Sequence, residues 1–143
     1  MSVVRPTFGS LLALSLALAL LVGCGGSSDD PDLGGRGDEI EELFPDVLEA
    51  AASPDDDGTW TVSATLSSPY DSAERYADAW RVVGPDGTVY GERILVHDHA
   101  SEQPFTRSQS GIEIPDGVET VTVQGRDQVS GWGGATAMIE LRR

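Results

Sequence analysis

Hydrophobic and polar positions follow three different rhythms along the 143 residues of this chain. Residues 11–22, Leu-Leu-Ala-Leu-Ser-Leu-Ala-Leu-Ala-Leu-Leu-Val, form an unbroken run behind Arg5 that is apolar apart from Ser15. A helix needs roughly 20 apolar residues to cross a bilayer, and this run is shorter. It therefore reads as the core of an export signal rather than a stable span. Over residues 39–52, Ile40, Leu43, Phe44, Val47 and Leu48 fall at i, i+3, i+4, i+7 and i+8, the spacing of an amphipathic helix. Pro45 interrupts that pattern, so the expectation is one or two short helical turns.

From Gly58 onward the period becomes two. Trp60, Val62, Ala64 and Leu66 alternate with Thr59, Thr61, Ser63 and Thr65, the pattern of a half-buried strand. Tyr76, Trp80 and Val82 share one face of the next run, with Asp78 between them. Val83-Gly-Pro-Asp-Gly-Thr88 is a turn, and Thr88 to Val96 forms the return strand. A weaker strand is expected within Phe105–Ile114, ending in the apolar pair Ile112 and Ile114. Pro115-Asp-Gly117 marks a second turn, and Val121 and Val123 share a face beyond it. Gly131-Trp-Gly-Gly134 breaks the chain before Ala135, Ala137, Ile139 and Leu141 alternate with polar neighbours and Met138. Short strands separated by turn signals, with a tryptophan in mid-domain, predict an all-β fold. The expectation is an immunoglobulin/fibronectin-like β-sandwich of six or seven strands over residues 58–143.

Leu21-Val22-Gly23-Cys24 at the end of the apolar run resembles the bacterial lipobox, and Cys24 is the chain's one cysteine. The resemblance implies that the Cys24 thiol receives a diacylglycerol and that cleavage precedes it. It also implies that the new N-terminus often gains a further acyl chain such as palmitate. Several acyl chains give the stable anchoring that a single chain does not. Residues 1–23 are thus expected to be a lipoprotein signal peptide. Gly25 after the cysteine resembles the pattern for outer-membrane delivery in a host with two membranes. A lone cysteine excludes intramolecular disulfides and cysteine-based zinc sites.

Residues 24–57 then read as an acidic flexible tether, Gly/Ser/Asp-rich at first, with the short helical segment inside it. That stretch holds 12 acidic residues and one Arg, a charge of −11, while residues 58–143 hold 12 acidic residues and 7 Arg, a charge of −5. The residues from Gly58 are expected to fold without the tether. Nine Arg and no Lys in a chain of net charge −15 fit salt adaptation and a high-GC genome equally. No basic stripe exists to neutralise phosphates, so nucleic acid is excluded as a partner. Arg36-Gly37-Asp38 is a tripeptide that a Gly/Asp linker produces by chance.

Phosphate loops, nucleophile elbows and catalytic cysteines have no counterpart in the sequence. What remains is His97-Asp-His99 with Glu102 and Arg107. Histidines at i and i+2 on a strand share a face, and with Glu102 they would suit zinc or copper. The same residues more often make an exposed polar loop or structural pairs at a strand end, and that is the favoured reading. Asp78, on the face of Trp80, needs Arg93, Arg107 or a histidine beside it as a structural polar cluster, or else lies at a sheet edge. Trp132 is either an exposed binding aromatic or a lid over the core edge.

Tyr76-Ala-Asp-Ala-Trp80, Pro85-Asp-Gly87, His97-Asp-His99, Glu102-Gln-Pro-Phe-Thr-Arg-Ser108 and Gly131-Trp-Gly-Gly134 together resemble a family of small exported bacterial proteins. The resemblance covers roughly residues 60–141 and implies a stand-alone exported β-domain with no assigned activity. In that family a Pro often stands between the two histidines, where this chain has Asp98. The functional expectation is a non-enzymatic binding or assembly module, held to the membrane by its lipid and meeting an envelope protein or glycan. The alternative is a metal-binding or metal-dependent envelope protein using the His97/His99 loop.

Overall fold

Wherever the sequence alternates with period two, the chain is a strand. The computed structural model describes residues 41–143, so Cys24, the apolar run and the Gly/Ser/Asp stretch lie outside the described residues. Seven strands follow in order: β1 (Asp46–Pro54), β2 (Trp60–Ser67), β3 (Ala77–Val83), β4 (Val89–Ile94), β5 (Phe105–Ile112), β6 (Thr120–Asp127) and β7 (Gly131–Glu140). They pair antiparallel into a three-stranded sheet, β1-β2-β5, and a four-stranded sheet, β4-β3-β6-β7. The two sheets make the expected β-sandwich. Its core is the inward half of each alternation, with Trp60, Val62 and Leu66 from one sheet meeting Trp80, Val82, Val121 and Val123 from the other.

One expectation is overturned. Residues 46–54 are not helical turns but strand β1, paired with β2 from Asp46↔Ser67 to Pro54↔Trp60. The compact unit takes in residues 41–57 as well, rather than beginning at Gly58. The physical reason is a β-bulge. Val47 faces the core, the register slips between Val47 and Glu49, and Ala50 and Ala52 then return to the core side. The inserted residue spaces the inward positions three apart and then two, which imitates a helix on paper. Leu48 falls on the wrong side of the bulge and is left exposed.

The segment ahead of β1 is seated on the opposite sheet. Pro45 is fully buried, and the glycines of β6 and β7 make room for it. A Cβ on Gly125 would stand 2.7 Å from Pro45 Cγ. One on Gly133 would overlap the Phe44 ring, and one on Gly134 would overlap the Pro45 carbonyl. Gly134 also has φ +83°, a conformation that side-chain-bearing residues avoid. The Ala135 amide then donates to Asp46 Oδ1 at 2.8 Å. Gly131-Trp-Gly-Gly134 is therefore the second half of a cradle for Phe44-Pro45. The strand order places the connections β2–β3, β4–β5 and β6–β7 at the end where the chain enters the sandwich. The connections β1–β2, β3–β4 and β5–β6 lie at the far end.

Candidate functional site

The buried titratable side chains, Asp71, His99 and Asp127, all lie at the end where the chain enters the sandwich. Asp127 continues the inward alternation Val121–Val123–Gly125, which places a carboxylate with a fully buried side chain on the core face. It accepts Arg75 Nε and Nη2 at 3.1 and 2.8 Å, and the Val129 and Ser130 amides at 3.0 and 2.6 Å. Burial pushes the Asp127 carboxyl up, but these hydrogen bonds outweigh it and hold the group below the usual carboxylate range. Arg75 also donates through Nη2 to Ser130 Oγ at 2.7 Å and through Nη1 to the Glu41 carbonyl at 3.0 Å. Ser130 Oγ in turn accepts the Leu43 amide at 3.3 Å. Two distant parts of the chain, Arg75 and the Asp127–Ser130 turn, are thereby fastened to the segment ahead of β1. The Tyr70 hydroxyl is buried beside this carboxylate, and burial with the Asp127 charge raises its pKa above the ordinary value.

The histidine loop packs alongside. The His99 side chain is only 2 % exposed and stacks on the Phe105 ring, centroids 3.8 Å apart and planes 8° from parallel. Its Nδ1 lies 3.9 Å from Asp71 Oδ2 and has no hydrogen-bond partner. The buried Asp71 carboxylate is taken by two backbone amides, Ala77 through Oδ1 and His99 through Oδ2, each at 3.0 Å. His97 is exposed, 4.7 Å from the His99 ring, and its Nδ1 lies 2.8 Å from the Asp98 carbonyl. Glu102 turns away to accept Arg107 Nη2 at 2.8 Å. His97, His99 and Glu102 therefore do not converge, and among the described residues no three His, Cys, Asp or Glu side chains stand close enough to share a metal ion.

Burial lowers the His99 pKa from its ordinary 6.5, with the Arg107 and His97 charges acting the same way and Glu102 and Asp71 opposing. The unfolded chain then binds a proton before the folded one does. His99 contributes its full stabilisation above about pH 6.5, and this is lost as pH falls toward the lower folded value. Urea unfolding between pH 7 and pH 5 is expected to show stability decreasing, with a slope of at most about 1.4 kcal/mol per pH unit from this residue. His99→Phe should flatten that slope; an unchanged slope in the variant would refute the assignment.

The expected cluster of Asp78, Arg93 and Arg107 is not formed. The β3–β6 register slips between Ala77 and Ala79, which takes Asp78 off the face of Trp80. There it accepts Arg126 Nε and Nη2 at 2.8 and 3.1 Å. Trp132 lies on the same outer face, half-buried, with the Arg81 and Arg126 guanidinium carbons 4.1 and 5.1 Å from its ring centroid. It neither caps the core nor stands free. Arg93 meets none of these groups. Sequence reasoning missed Asp71, Arg75, Arg126 and Asp127. Asp127 alone was signalled, by its place in the alternation of β6.

No protein-family model matches the chain, and no solved structure matches it. One relative does. Over 78 residues the chain is 42 % identical to a Halomicrobium mukohataei protein named "Putative lipoprotein". The matched stretch is 54 % of this chain and 38 % of that protein, so the chain spans well under half of the relative's length.

Proposed function

We propose that this chain is a lipid-anchored envelope protein whose sandwich is a non-enzymatic binding or assembly module. The observation that carries the reading is the position of Cys24. The chain's one cysteine falls directly after an apolar run and Leu-Val-Gly, where a lipobox requires it. The similarity to a relative named as a lipoprotein supports the same reading. The acidic groups nearest the N-terminal segment support the second half. Asp71, Asp78, Asp127 and Glu102 are each engaged by an arginine or by backbone amides, an arrangement that fixes loops rather than moving protons. The partners this implies are the membrane through the lipid, and an envelope protein or glycan for the sandwich. Delivery to an outer membrane follows where the host has two membranes.

Lipidation is tested at Cys24. The wild-type chain is expected in the membrane fraction, its N-terminal peptide carrying a lipid-sized mass on Cys24. Cys24→Ser is expected in the soluble fraction, uncleaved or miscleaved. Membrane attachment that survives the substitution would overturn the anchor.

A further inference from the structure

In a chain of net charge −15, every guanidinium has carboxylates to choose from. Arg75, Arg107 and Arg143 each take one, and Arg126 takes two, Asp78 and Glu92. Arg81 gives two hydrogen bonds to Gln124 and stacks on Trp132. Arg142 is exposed to water. Arg93 is the exception, half-buried and without a partner among the described residues, and its Nε is buried with nothing to donate to.

Its neighbour repeats the anomaly. Arg93 stands opposite Trp80 in the β3–β4 pairing, so the two side chains leave the sheet on the same face, with Cβ atoms about 5 Å apart. Trp80 is fully buried, and its indole N–H has no acceptor. Buried donors are nearly always satisfied, and one left without a partner calls for an explanation such as a bound ion or water. Here two stand on adjacent strands, one of them cationic. Arg93 lies on β4, the outermost strand of its sheet, at the seam with β5, the outermost strand of the other sheet, and Trp80 lies beside it on β3. Gly91, two residues before Arg93, keeps that seam narrow: a Cβ there would be 3.0 Å from Ile112 Cγ1.

We propose that Arg93 and the Trp80 indole N–H form a binding site for an oxyanion of the carboxylate or phosphate type. A guanidinium presents parallel N–H groups that match two oxygens of such an anion, and the indole adds a further donor. A cation would be repelled by Arg93, and an apolar group would leave both donors unsatisfied. The site goes beyond the binding-module reading and stands whether or not Cys24 is lipidated.

The test uses the full chain in detergent micelles, labelled with nitrogen-15 at its three tryptophans. Trp60→Phe and Trp132→Phe identify the Trp80 indole signal by elimination. Sodium phosphate and sodium acetate are titrated separately, with chloride holding ionic strength constant. A saturable shift of the Trp80 indole is expected, with phosphate alone or acetate alone identifying which oxyanion the site prefers. Arg93→Gln should weaken binding by about tenfold or more while the Trp60 and Trp132 signals stay in place. Should that variant fail to fold, Arg93→Lys keeps the charge without the fork and is expected to bind more weakly than wild type. A Trp80 signal that does not move with either anion, or wild-type affinity in the folded Arg93 variant, would overturn the proposal.

Discussion

A fragment of residues 58–143 is expected not to melt cooperatively, whereas residues 41–143 are expected to show a single cooperative transition. The shorter fragment lacks all of β1 and the Phe44-Pro45 segment. Val47, 3 % exposed, is by itself worth about 1.5–3 kcal/mol of burial. Its loss, with that of Ala50 and Ala52, uncovers Val62 and Leu66 along the unpaired side of β2. The cradle of Gly125, Gly133 and Gly134 is emptied, and the Arg75 and Ser130 hydrogen bonds to residues 41 and 43 disappear. Domains of this size are stable by roughly 5–15 kcal/mol, so losses at several buried positions consume most of it. Thermal unfolding of the two fragments followed by circular dichroism decides the matter. Matching midpoints would show that β1 is dispensable.

Asp127→Ala is expected to be the most damaging single substitution among the charged residues. The carboxylate lies with its side chain fully buried and receives Arg75 together with two backbone amides. Removing it leaves those amides and a guanidinium without their acceptor. Breaking a buried pair from one side costs about 3–5 kcal/mol. For a domain of about 100 residues that lowers Tm by on the order of 15 °C or more. Asp127→Asn keeps the shape and one oxygen and should lose less. The pH dependence provides an independent check. Because the folded pKa of Asp127 lies below its ordinary 3.8, its stabilisation is complete above that value. It is lost as pH falls through the lower folded pKa, and Asp127→Asn should remove that part of the acid sensitivity. Urea midpoints at pH 7 and pH 3 measure both effects.

The parts of this fold that could be read from the sequence are those governed by uninterrupted alternation. β2, with Trp60, Val62, Ala64 and Leu66 all buried, needed nothing but its period. β1 and the start of β3 were misread for one shared reason: a β-bulge adds a residue and reverses which side chains face inward. At β1 this turned a strand into an apparent helix. At β3 it put Asp78 on the wrong face and sent the search for its cation to Arg93 and Arg107 instead of Arg126. The ion pairs were hidden for another reason. Arg75 and Asp127 are 52 positions apart, and nothing local to either residue marks the other. Asp71 serves two backbone amides, a role that leaves no trace in composition. The histidines were visible as a pair, but whether two rings converge on an ion or stack on a phenylalanine depends on χ angles that spacing does not determine.

The route by which the chain enters the sandwich also determines how the domain responds to force. A pull on the segment ahead of Glu41 meets the Phe44-Pro45 cradle first and then runs along the axis of β1. Hydrogen bonds between antiparallel strands lie across that axis, so the eight register pairs from Asp46↔Ser67 to Pro54↔Trp60 are loaded in shear and resist together. The same strand pulled at Pro54 across that axis, in the plane of its sheet, would open one pair at a time, like a zip.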